Sequence, residues 1–144
     1  MTTDTIATNA PSGVVLDNGS YSSSVTIASG ITVGDGTGTA VTAGSSWTLD
    51  NQGTVVGGPV GVGLYQGGAL TNEAGGTITA GYGSYGAVYI SGTNPVFVQN
   101  AGLIEDDTGS GLIINSLQTK LVNTGTIIGK YYGVSAGGDD ITVT

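Results

Sequence analysis

The chain has no cysteine and no histidine, and its only two basic residues are Lys120 and Lys130, so arginine is absent as well. These gaps remove disulfides, thiolate and imidazole metal sites, and every mechanism that pairs a nucleophile with a histidine. Ten acidic residues bring the net charge to -8. A chain this acidic has little with which to neutralise phosphates, which excludes nucleic acid as a partner. Any catalysis would have to run on carboxylates alone. No apolar run approaches the ~18 residues of a transmembrane helix, so no membrane-spanning segment is expected. The stretch from Met1 to Pro11 has neither the basic flank nor the apolar segment of a signal peptide, and an export signal is expected to have been removed or to lie elsewhere.

Val, Ile, Leu and Phe make up 35 of the 144 residues, more than the roughly 20% below which a charged chain stays disordered. With 28 Gly and 21 Thr beside abundant Val and Ile, the chain is rich in strand and turn formers and poor in helix formers. The composition predicts an all-β fold.

A short pattern recurs along the chain: an apolar residue, a spacer, Asn, then Gly followed by a β-branched pair. Four copies are plain: Leu49-Asp50-Asn51-Gln52-Gly53-Thr54-Val55, Leu70-Thr71-Asn72 leading to Gly76-Thr77-Ile78, Val98-Gln99-Asn100-Ala101-Gly102-Leu103-Ile104, and Leu121-Val122-Asn123-Thr124-Gly125-Thr126-Ile127. Two degenerate copies precede them, one at Asn9 leading to Gly13-Val14-Val15, the other at Ile27 to Thr32 with Ser29 in the Asn place. The rungs fall near 9, 29, 51, 72, 100 and 123, at spacings of 20, 22, 21, 28 and 23. About half a coil later comes a second motif, at Gly63-Leu64-Tyr65, Ala87-Val88-Tyr89-Ile90, Gly111-Leu112-Ile113-Ile114 and Gly133-Val134-Ser135, which reads as another strand. Loop variation concentrates at Ala80 to Gly86, Ser91 to Pro95 and Glu105 to Ser110.

A unit of this size cannot bury its apolar side alone, but stacked copies can lay strand on strand in parallel sheets. The expected architecture is a single β-solenoid domain over 1–144, a right-handed parallel β-helix of about six coils with 20–28 residues each. At about 4.8 Å per coil it would stand roughly 29 Å tall. Leu49, Leu70, Val98 and Leu121 would form one inward file, and Val55, Ile78, Ile104 and Ile127 another. Asn9, Asn51, Asn72, Asn100 and Asn123 would form a ladder whose amides pair from coil to coil and satisfy half-buried turn backbone.

The L-x-N-x-G-T-I run resembles the repeat passenger regions of bacterial autotransporters and related large surface adhesins, and the resemblance covers nearly the whole chain. It implies the exterior of a Gram-negative cell, secreted or held at the surface, and lack of cysteine agrees with that route. The chain is short for such a passenger and carries no translocator barrel, so it is either a piece of one or a small protein of its own.

Candidate sites are few. Asp106 and Asp107, next to Glu105, and Asp139 and Asp140 supply carboxylates that could bind Ca2+, the one cofactor the sequence suggests; an array of Ca2+-binding nonapeptides is missing. The same acids could serve a polysaccharide-degrading site, which would need one carboxyl of raised pKa near another. Tyr65 and Tyr89 are expected at the same outward position of successive strands, followed by Ile113 and Ser135, forming either a surface-binding stripe or simple cross-coil packing. Trp47 is expected in the core or as a plug between coils. Thr pairs such as Thr77/Thr79 are too few and unaligned for an ice-binding face.

With no reactive constellation, the first expectation is a non-enzymatic structural or adhesive extracellular module, acting on other surface proteins or glycans. The second is a fibre subunit. Asp4-Thr5-Ile6-Ala7-Thr8 parallels Asp140-Ile141-Thr142-Val143-Thr144, and head-to-tail stacking on itself would remove two open strand edges.

Overall fold

The computed structural model describes residues 3–83, 85–138 and 141–144 and is a β-solenoid of about six coils. Its strands fall into three parallel sheets. The first contains β1 (Asp4–Ile6), β3 (Ser24–Ile27), β6 (Trp47–Asn51), β9 (Gly68–Asn72), β12 (Val96–Asn100), β15 (Thr119–Asn123) and β18 (Ile141–Val143), in that spatial order. The second stacks β4 (Thr32–Asp35), β7 (Thr54–Gly57), β10 (Thr77–Ala80), β13 (Leu103–Asp106) and β16 (Thr126–Gly129). The third stacks β2 (Val14–Val15), β5 (Thr39–Ala43), β8 (Val60–Leu64), β11 (Gly86–Gly92), β14 (Ser110–Ser116) and β17 (Val134–Ala136). From β3 onward the chain visits the three sheets in turn, so coils two to six hold three strands each; the first coil has only β1 and β2, with Ala10 bridging to Val33 between them, and β18 opens a further turn. One 3-10 turn, Leu16–Asn18, is the only helical element among the described residues.

Parallel pairing one coil apart puts equivalent residues in files. Val25, Leu49, Leu70, Val98 and Leu121 stand in register in the first sheet. In the second, Val33, Val55, Ile78, Ile104 and Ile127 do the same. In the third the file is Val14, Val41, Val62, Val88, Leu112 and Val134. Nearly all of these side chains are buried in one continuous core. Burial of aliphatic side chains, each contributing roughly 1.5–3 kcal/mol, is what pulls the coils together.

The ladder of amides is the polar counterpart of that core. Asn51 Nδ2 donates to Asn72 Oδ1, Asn72 Nδ2 to Asn100 Oδ1, and Asn100 Nδ2 to Asn123 Oδ1, each at 2.8 Å. Each of these donors also lies near carbonyls of the turn: Asn72 Nδ2 is 3.3 Å from Gly76 O and 3.2 Å from Leu103 O. Asn51, Asn72 and Asn100 are fully buried, and the amides consume the polar groups of a corner that solvent cannot reach. The glycine of the motif follows from the same closeness. A Cβ at Gly53, Gly76, Gly102 or Gly125 would come within 3.0 Å of a backbone carbonyl in the coil beneath, those of Ile31, Asn51, Gly76 and Gly102 respectively. In coils three to six only glycine lets the turns stack at this spacing, while Ile31 holds the equivalent place in the second coil.

Two expected rungs stand elsewhere. Asn51 is in register with Ile27, and Ile27 with Ile6, so isoleucines continue the file where Ser29 and Asn9 were expected. From Ile27 to its partner position at Val33 the chain takes a longer turn than from Asn51 to Val55, and Ser29 is exposed within it. Asn9 is also exposed, beside Ala10, which bridges to Val33; its Oδ1 accepts the Thr32 N–H at 2.8 Å.

Asn72→Ala should cost about 3 kcal/mol, since it strands a donor on Asn51 and an acceptor on Asn100 in a buried corner. Asn123→Ala, at the half-buried end of the ladder, should cost about 1 kcal/mol. Urea unfolding of the two variants checks the difference; equal losses would mean that the coupled amides do not hold the stack.

Candidate functional site

The outward faces carry the residues that can meet another molecule. Tyr89 lies in β11, in register with Gly63 of β8 on one side and Ile113 of β14 on the other, with Ser135 beyond. Tyr65 therefore does not occupy the position equivalent to Tyr89. It follows β8, and its ring folds back over Gly63, where an added Cβ would meet the ring at 2.7–2.9 Å. The missing side chain leaves space for the ring to lie against the strand. The centroids of Tyr65 and Tyr89 are 6.0 Å apart with the planes inclined at 43°, and Tyr85 meets Tyr89 edge-on at 6.3 Å and 87°.

These three rings border a groove of about 310 Å³, completed by Thr39, Pro59, Val60 and Ser91. No charged residue lines it. Two of its tyrosines come from the longest coil: Tyr89 from β11 itself, and Tyr85 from the passage between Ala80 and Gly86, which is three residues longer than the equivalent passage from Gly57 to Val60. Tyr85 is 59% exposed. The Tyr89 hydroxyl accepts a long bond from Asn115 Nδ2 at 3.4 Å. A larger hollow of about 410 Å³ runs past Trp47 and Phe97. There Trp47 is only 7% exposed and its indole N–H is bound to Asp17 Oδ1 at 2.8 Å, which leaves little ring surface to offer.

The acids are arranged for turns. Asp106 is fully buried, while its neighbour Asp107 is exposed. Asp106 Oδ1 accepts the N–H of Thr108 at 2.8 Å, the Thr108 hydroxyl at 3.0 Å and the N–H of Gly109 at 2.7 Å. Asp35 repeats the pattern three coils below, accepting from Thr37 and Gly38. The two stand in the same file, connected through Gly57 and Ala80. The signal for this was present in the sequence as Asp-x-Thr-Gly at 35–38 and at 106–109. Among the described residues no group of three or more carboxylates comes together, at Asp106 and Asp107 or elsewhere. Asp139 and Asp140 lie outside the described residues.

No protein-family model matches the chain, and neither a curated protein nor a solved structure does. The fold is shown by its geometry alone.

Two further carboxylates, Asp4 and Asp17, join Asp35 as acceptors in the first two coils. Asp4 accepts the backbone N–H and the hydroxyl of Ser22, which keep its pKa below the ordinary carboxylate value. Asp17 is lowered first by the Ser45 hydroxyl, then by the Trp47 indole, with the Gly44 N–H adding to them. Asp35 is lowered chiefly by the backbone N–H groups of Thr37 and Gly38. A carboxyl whose pKa is depressed by folding stabilises the fold above its unfolded value near 3.9, and that contribution disappears as pH falls through the folded value. The N-terminal coils should therefore lose amide protection before the C-terminal ones below about pH 4. Hydrogen exchange by mass spectrometry at pH 5 and pH 3 reads this directly, and Asp17→Asn should shrink the difference. Uniform loosening along the stack would contradict it.

Proposed function

We propose that the chain is a non-enzymatic structural and adhesive module of a bacterial surface protein, a short stiff rod held at the cell exterior. The observation that carries this reading is that the amides of the buried corner are spent on stacking. The asparagine amides bind one another, Asp35 and Asp106 bind their own turns, and what remains outside is a shaped, mostly uncharged surface. A glycoside-cleaving site would place two carboxyls roughly 5–10 Å apart across a cleft. The aromatic groove has no carboxylate in its lining. The L-x-N-x-G-T-I resemblance supports a passenger region exported by a Gram-negative cell.

The strand register favours this reading over a head-to-tail fibre. Asp4 is in register with Val25, and Val143 with Leu121, so Asp4 and Val143 share one inward file. The likeness between the two ends in sequence is thus offset from their likeness in space. A second copy placing β1 where β18 lies would set the Asp4 carboxylate on Leu121 and Ile6 against Asn123. It would set a carboxylate against an aliphatic side chain and offer Asn123 an isoleucine where the ladder offers an amide.

Sedimentation at rising concentration should give a single monomeric species, and electron microscopy should show no filaments. Protease shaving of intact producing cells should release fragments of this chain. A purely intracellular pool would defeat the surface assignment, and filaments lengthening with concentration would defeat the monomeric rod.

A further inference from the structure

We infer that the groove bordered by Tyr65, Tyr85 and Tyr89 is a binding site for a neutral saccharide. The inference rests on the adhesive half of the function proposed above and is independent of the rod half.

The chemistry of the lining selects the ligand. Rings inclined at 43° and 87° to one another present aromatic surface from two directions, and the C–H faces of a pyranose pack against such surface without needing a charge partner. All three tyrosines, Thr39 and Ser91 carry hydroxyls, so five of the seven lining residues are of a type that can hydrogen-bond sugar hydroxyls leaving water. A volume of about 310 Å³ lies at the lower end of small-ligand sites. An anionic sugar would find no cation in the lining of a chain whose net charge is -8. A cationic ligand would find no carboxylate there. An extended peptide would need a free strand edge, but β8 and β11 are each paired on both sides.

The groove is also built in advance of any ligand. Gly63 is the position opposite Tyr89, and the Tyr65 ring occupies the volume that any side chain there would claim. Gly63 has an ordinary strand conformation, so a β-branched residue could replace it without backbone strain while displacing the ring. The exchange separates the site from the fold.

Affinity electrophoresis in native gels tests the assignment, with soluble cellulose ether, starch, neutral xylan and galactomannan as neutral probes and polygalacturonate as the anionic one. At least one neutral polysaccharide should retard the protein and polygalacturonate should not. Tyr65→Ala and Tyr85→Ala should each weaken the retarding interaction by about five-fold or more, and Gly63→Val should do the same with both tyrosines still present. Tyr132→Ala, which removes a ring that is 65% exposed in the last coil, should change nothing. Far-UV circular dichroism confirms that each variant keeps the strand signal. Retardation by none of the neutral probes would overturn the inference. So would full binding by the Tyr65, Tyr85 and Gly63 variants, or an equal loss in Tyr132→Ala. Beads coated with the protein distinguish the two proposals: adhesion to cells without glycan retardation would overturn only the saccharide site. Glycan retardation with no adhesion to any cell surface would overturn only the adhesive role.

Discussion

The hydrogen bonds between one coil and the next fix everything else in this molecule. Parallel strands hold their neighbours at about 4.8 Å, and a stack built at that spacing permits only side chains that tolerate their own equivalents directly above and below. Aliphatic residues meet the condition by packing like on like, as in the file from Val25 to Leu121. Asparagine meets it because one amide end donates and the other accepts. Glycine meets it at the turn corner, where the carbonyl of the coil beneath leaves no space for a Cβ. The repeated motif is the chemical imprint of that single distance.

The amide file also gives the stack a direction. Every Nδ2 from Asn51 to Asn100 donates toward the C-terminal end, so the two ends differ in kind. At the N-terminal end isoleucines take over the file and the inward residues Ile6 and Val14 are buried. At the other, Asn123, Ile127 and Val134 are only half-buried. The carboxylates of Asp4, Asp17 and Asp35, all in the first two coils, replace amide pairing with hydroxyl and backbone donors. Charge-assisted bonds to Asp4 and Asp17 join the lower coils, whereas coils three to six share the file of neutral amides.

What the sequence revealed follows the same division. Coils three to six could be read because Asn51, Asn72, Asn100 and Asn123 each sit at a file position where no other polar residue finds its partner. Asn9 and Ser29 misled because they come after the inward position and do not fill it: Ile6 and Ile27 stand in the file, and both polar residues fall in the exposed passage that follows. Asp106 read as one of a pair of carboxylates with Asp107 open to a ligand, whereas its backbone turn, closed by Thr108 and Gly109, draws it inside. The offset between Tyr65 and Tyr89 was hidden for a related reason. Both follow an apolar residue, but Leu64 is in register with Ile90 and not with Val88. Motif likeness reports chemistry along the chain, while register is decided across it.

Specific function on such a scaffold has to come from the places that stacking leaves free. An inward residue answers to the neighbours of its own kind above and below, so substitution there is felt in the adjoining coils as well as its own. An outward residue answers only to the strands beside it, and a loop answers to still less. The aromatic groove lies where both freedoms meet. The longest coil supplies Tyr85 and Tyr89, and Gly63 gives up an outward side chain so that Tyr65 can lie flat. Glycine at Gly53 or Gly102 serves the stack, because a carbonyl stands over it. At Gly63 the obstacle to a side chain is the Tyr65 ring, with no backbone atom among its closest neighbours. A residue whose smallness serves a neighbouring ring more than the repeat is what a surface shaped for recognition would contain.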